Sequence, residues 1–146
     1  MTKTLSLTVL LGMLVLAQPA VAEPIAATLY KNPQCGCCEG YADYLRDNDF
    51  TVEVVPTNEL SGISRQAGVP EDLQGCHTMF VEDYVVDGHV PVNVVLRMLA
   101  ENPDIAGITL PGMPAGSPGM GGSKNASFVI YSFGKDGGVP HIYAVE

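Results

Sequence analysis

The sequence predicts an α/β fold, and three observations carry that expectation. Runs that read as strands alternate with runs that read as helices over residues 26–100, in the order β-α-β-α-β-β-α. A segment with three cysteines, Cys35-Gly36-Cys37-Cys38, falls directly between the first strand and the first helix. Two alternating runs around a glycine-rich turn then close the chain as a C-terminal β-hairpin. Alternating strands and helices argue for a layered fold over a loop protein stapled by disulfides.

The elements follow in order. Residues 26–30 (AATLY) read as a short buried strand, broken by Lys31-Asn32-Pro33-Gln34. Residues 40–48 carry a helical pattern, with Tyr41, Tyr44 and Leu45 on one face and charge opposite. Residues 50–55 (FTVEVV) alternate as a strand, and residues 59–67 form a weaker helix on Leu60, Ile63 and Ala67, closed by Gly68. Strands are expected at 78–81 and 84–86, with Asp87-Gly88 as a turn signal. Pro91 opens a helix through Ala100, with Val92, Val95, Leu96 and Leu99 on its apolar side, and Asn102-Pro103 ends it. Residues 111–122 (PGMPAGSPGMGG) hold too much Gly and Pro for any regular element. The hairpin strands are residues 127–133 and 139–145, and Pro140 puts the last strand at a sheet edge. A cysteine motif between a first strand and a first helix has a thioredoxin-like layout.

Residues 1–22 read as a secretory signal peptide: Lys3 starts it, Leu5 to Leu16 is almost wholly apolar, and Ala20-Val21-Ala22 fits the cleavage pattern. The apolar run is short for a bilayer span, which takes roughly 20 residues. Export is therefore expected, with residues 23–146 as a single domain and no membrane contact after cleavage. That mature chain sets six basic residues against sixteen acidic ones, a net charge of −10. Such a balance argues against nucleic acid and anionic lipid as partners and otherwise reads as plain solubility.

All four cysteines, Cys35, Cys37, Cys38 and Cys76, lie in the mature chain. Two structural disulfides are the bland reading for an exported protein. The spacing opposes it: three cysteines within four residues share one distant partner, so two disulfides would force a tight local bridge. At a helix start, free N–H groups and the positive end of the dipole favour anionic sulfur. Gly36 lets the backbone fold around a bound atom, and a thioredoxin-like layout brings Cys76 across from the helix start. Four thiolates suit Cu(I), zinc or iron–sulfur units. The C-x-C and C-C pairs are awkward for one tetrahedral ion, for which C-x₂₋₄-C is usual. Sulfurs bridging several Cu(I) ions fit the spacing better. Cys35 and Cys38 also form a C-x-x-C, which on its own supports thiol–disulfide exchange.

Three separated segments, YKNPQCGCCEGY (30–41), GCHTMFVEDYVVDGHVP (75–91) and GITLPGMPAGSPGM (107–120), resemble the exported CopG-type copper-resistance proteins, long known only as a domain of unknown function. The resemblance runs from about residue 26 to residue 144 in unbroken order. It implies a thioredoxin-like fold and copper bound by Cys35, Cys37, Cys38 and Cys76, with no departure at these positions. It further implies several copper ions per chain in a cysteine-bridged cluster, and interconversion of Cu(I) and Cu(II) in the periplasm. Other periplasmic copper-handling proteins are then the expected partners.

Lesser positions carry two readings each. Met113 and Met120 offer soft thioethers from the Gly/Pro loop, which is expected to lie as a lid over the cluster; methionine is also a routine gap filler. His77, next to Cys76, is expected to support a sulfur ligand through a hydrogen bond. His89 is expected to make backbone contacts at a helix start, and His141 to be incidental. Tyr30, Tyr41 and Tyr84 are expected to pack the core. Beside the copper-redox reading stand a copper carrier without turnover, a thiol–disulfide oxidoreductase on Cys35 and Cys38, and, last, arsenate-reductase-like chemistry, which would need basic residues near the cysteines where only Lys31 and Arg46 are close in sequence.

Overall fold

Apolar alternation and parallel pairing build the half of the molecule that positions the cysteines. β1 (Ile25–Lys31) pairs in parallel with β2 (Phe50–Pro56), and a parallel pair needs a crossover, which α1 (Gly36–Arg46) supplies. After α2 (Leu60–Gln66) and a 3-10 turn at Glu71–Leu73, β3 (His77–Val81) pairs antiparallel with β1. β4 (Tyr84–Asp87) folds back antiparallel on β3. α3 (Val92–Glu101) then crosses to β5 (Gly107–Thr109), which runs parallel to β4. β6 (Val129–Phe133) and β7 (His141–Val145) complete, antiparallel, one mixed sheet of order β2-β1-β3-β4-β5-β6-β7. This is a computed structural model, and it describes residues 23–146. The expected signal peptide, residues 1–22, lies outside the described residues.

Side-chain alternation divides the work between the faces. Leu29, Met79, Val81 and Val86 face α1 and α3, where Tyr41, Ala42, Leu45, Val94, Val95 and Met98 close the main core. Thr78 points the other way and meets Ser64 of α2 at 2.7 Å. No helix among the described residues is long and apolar enough to cross a membrane.

Several boundaries differ from those the sequence suggests, for physical reasons. The first helix starts at Gly36 instead of Gly40, because Pro33 forces a turn (Cys35 N–H to the Asn32 carbonyl, 3.0 Å) and the helix begins as soon as that turn ends. Apolar periodicity, by contrast, becomes visible only from Tyr41. Pro91 caps α3 from outside, with φ −58° and ψ 139°, instead of occupying its first turn. β5, only three residues long, is too short to show a period. β7 is one of the two edge strands, where Pro140 before it costs no ladder bond.

Candidate metal centre

Three strand ends and one helix start meet at the site. Cys35 caps α1 without a side-chain hydrogen bond of its own, so Cys37 and Cys38 lie in a first turn whose N–H groups no capping side chain fills. Lys31, fully buried at the end of β1, ties this loop down: its ammonium donates to the carbonyls of Asn32 (3.2 Å), Pro33 (3.4 Å) and Cys35 (3.3 Å) and pairs with Glu39 at 3.0 Å. Cys76 arrives through register. Lys31 lies opposite His77, so the residue before His77 falls beside the cysteine loop.

The same logic delivers a residue for which sequence reasoning expected only backbone contacts. Val81 pairs with Tyr84 and Thr78 with Asp87, and the Gly88 N–H donates to the His77 carbonyl at 3.1 Å. One further step outward sets Cys76 against His89. His89 is thus corrected from a helix-start contact to a member of the site, with Nε2 3.0 Å from Cys76 Sγ. Its signal was present: the register counted outward from the Glu82-Asp83 turn.

The four sulfurs converge. Cys35 and Cys38 are joined as a disulfide, while Cys37 and Cys76 are free. Cys37 Sγ lies 3.4 Å from Cys35 Sγ and 4.0 Å from Cys76 Sγ; Cys38 Sγ lies 3.4 Å from Cys76 Sγ. All four sulfurs fall within 4.8 Å of one another, and so do the donor atoms of Cys38, Cys76, His77 and His89. The disulfide differs from a set of four free thiols. It is a single bridge, between the pair one helical turn apart, and it leaves two thiols that a two-disulfide scheme would have consumed.

Burial sets the charge states around these sulfurs. The Cys76 thiol is pushed up to about 12, first by burial and then by Cys37, so this sulfur carries its proton until something replaces it. His89 donates through Nδ1 to the Pro118 carbonyl, which can only accept; burial lowers its pKa and keeps it neutral, so Nε2 turns a lone pair toward Cys76. His77 is fully buried, its pKa lowered to about 3 by burial and then by His89. It stacks on Tyr41 at 4.6 Å between centroids, and its Nδ1 lies 3.7 Å from Cys76 Sγ. Its Nε2 has no hydrogen-bond partner, alone among the buried side-chain N and O atoms of the described residues. A buried polar atom without a partner costs free energy, and the ring nitrogen that faces the sulfurs is Nδ1.

Around the site, Tyr41 is buried in the core and its hydroxyl donates to the Val90 carbonyl at 2.8 Å. Tyr30 packs edge-on to Phe80, and Tyr84 bonds to Asn102 and Pro103. The Gly/Pro loop rests on α1: a Cβ at Gly40 would stand 3.1 Å from the Gly119 carbonyl oxygen, and one at Gly119 (φ +76°) would strike the backbone of Tyr41. Met113 is exposed and Met120 half-buried. Arg46 sits at the far end of α1 on Asp43 and the Val52 carbonyl, and Lys31 is committed to carbonyls and Glu39, so neither of these cations offers a cradle for an oxyanion.

A donor set of cysteine sulfur and imidazole nitrogen in one buried spot fits copper chemically, sulfur holding Cu(I) and nitrogen accommodating Cu(II). Comparisons with known proteins agree. A model for a protein family of unknown function, DUF411, matches residues 73–120. No curated protein matches the chain. Two solved structures, form 2 and form 1 of "copper resistance protein CopG", are each 32% identical to it. Their TM-scores are 0.78 and 0.77; each match covers 85% of this chain, and 99% and 98% of theirs.

Proposed function

The chain belongs to the CopG family of copper-resistance proteins, and from that premise we propose that it is a periplasmic copper-binding protein that gathers several copper ions as its cargo in a cysteine-bridged cluster and interconverts Cu(I) and Cu(II). In this reading residues 1–22 direct export and are removed, and residues 23–146 act as one thioredoxin-like domain. The observation that carries it is the convergence of Cys35, Cys37, Cys38 and Cys76 within 4.8 Å. Sulfurs that close can bridge neighbouring ions, and thiolates stabilise the reduced metal. The strand order β2-β1-β3-β4, with a C-x-x-C at the start of α1, supports the thioredoxin-like assignment.

Each residue has a part. Cys35, Cys37, Cys38 and Cys76 ligate copper. His89 adds a nitrogen donor beside Cys76, and His77, whose Nδ1 faces Cys76, either ligates or orients that sulfur. The Gly/Pro loop, anchored on α1 and held by His89, acts as a lid that carries Met113 and Met120. Because ligating thiolates must lose their protons, loading should release protons. Single Cys→Ser variants, reduced and loaded anaerobically with Cu(I), test the assignment. Each should lose most of the copper that the wild type retains after desalting; undiminished loading in Cys37→Ser or Cys76→Ser would exclude that residue as a ligand.

The disulfide favours one other reading, thiol–disulfide exchange through Cys35 and Cys38. Catalysed reduction of an insulin disulfide by the metal-free protein would support that reading over copper chemistry.

A further inference from the structure

Interconverting copper oxidation states requires an electron source, and the cysteine cluster contains one. We infer that Cys35 and Cys38 are the internal reductant: a two-electron dithiol that converts arriving Cu(II) to Cu(I), while Cys37 and Cys76 stay reduced and keep the product. This rests on the copper-binding reading above and adds the origin of the electrons.

The arrangement divides the four cysteines into two pairs. Cys35 and Cys38 stand one turn apart, with Cα atoms 5.5 Å from each other, and are already oxidised together. Cys37 and Cys76 remain free thiols in the same structure. Each free sulfur touches one member of the oxidised pair: Cys37 is 3.4 Å from Cys35, and Cys76 is 3.4 Å from Cys38. A copper ion seated on Cys37 and Cys76 is therefore in contact range of both reducing sulfurs. His89 Nε2, its lone pair directed at Cys76 by the Pro118 hydrogen bond, supplies the borderline donor that suits Cu(II) on arrival. The two remaining thiolates suit Cu(I) afterwards.

The step balances. The thiols of Cys35 and Cys38 give up two protons to solvent and one electron each; one S–S bond forms, and two Cu(II) become two Cu(I). To reset the pair, an external dithiol breaks the S–S bond and leaves as a disulfide itself. Cys35 is half-buried at the helix cap and Cys38 is fully buried, so the external thiolate attacks at Cys35 and Cys38 is the leaving sulfur.

The test uses the full mature chain, reduced, freed of reductant and mixed anaerobically with two equivalents of Cu(II). Electron paramagnetic resonance follows Cu(II), and acid-quenched alkylation with peptide mass mapping locates the thiols lost. Expected are loss of the Cu(II) signal, a Cys35–Cys38 disulfide, and Cys37 and Cys76 still alkylatable. Cys35→Ser should reduce Cu(II) at least about tenfold more slowly, since a lone thiol cannot close the local disulfide. Signal loss with all four thiols intact, oxidation mapped to Cys37 or Cys76, or wild-type rates in Cys35→Ser would each overturn the inference. A Cu(II) signal that persists while added Cu(I) binds overturns it and leaves the copper-binding reading standing. Failure to bind either ion overturns both.

Discussion

His77 is a neutral imidazole sealed in the core beside the sulfurs, and its burial gives the metal-free protein a specific acid sensitivity. Its folded pKa is lowered from 6.5 to about 3. The unfolded chain takes up this proton near pH 6.5 and the folded chain does not, so the stability His77 contributes is complete above pH 6.5 and drains away as pH falls toward 3. At about 1.4 kcal/mol per pH unit, acidification from pH 7 to pH 4 costs roughly 3 kcal/mol through this residue. Asp87 opposes it. Burial raises this carboxyl to about 6 against the Gly75 and Thr78 hydrogen bonds, so its contribution is present in acid and lost as pH rises through 6. The pair is separated by comparing urea unfolding of wild type and His77→Asn at pH 7 and pH 4. The wild type should lose about 3 kcal/mol more than the variant over that interval; parallel profiles would contradict the assignment. At this scale the four cysteines were legible in the sequence, because Cys35-Gly36-Cys37-Cys38 cannot form two unstrained disulfides with one distant partner. His89 was missed, because its place shows only when the β3–β4 register is counted outward past Gly88 to Cys76.

At the scale of elements, the site depends on the Gly/Pro loop lying flat against α1. Gly119 has φ +76°, and any side chain there meets the Tyr41 backbone, so Gly119→Ala must lift the loop. Lifting it also withdraws the Pro118 carbonyl from His89 and frees that imidazole to turn. We expect Gly119→Ala to cost about 1–3 kcal/mol in urea unfolding and to release Cu(I) to a chelator faster than the wild type. Unchanged release with the stability loss present would make the loop a structural element alone. Most elements could be read from periodicity: β1 to β4 and the three helices stand within a few residues of where apolar patterns put them. The exceptions have physical causes. α1 begins four residues early because the Pro33 turn, and not an apolar stripe, starts it. β5 exists only because β4 and β6 flank it, which no three-residue pattern announces.

For the molecule as a whole, the sheet order explains why distant segments share one chemistry. α1 starts at the carboxyl end of β1, and the antiparallel β3 begins at that same end, so Cys76 meets cysteines some forty positions earlier in the chain. α3 and β5 then carry the chain on to the loop that covers α1. Spacing alone could reach a thiolate site of metal or redox type. The choice of copper came from the resemblance of three ordered segments, and the 32% identity over nearly the whole of two CopG structures bears out that family. The proposal that the cluster holds several ions, bridged by sulfur, is tested most directly by anaerobic Cu(I) titration of the fully reduced mature chain, with X-ray absorption on the loaded protein. The account predicts several copper ions per chain, a first shell dominated by sulfur, and a short copper–copper vector. One ion or none per chain, or a shell of nitrogen and oxygen, would contradict it.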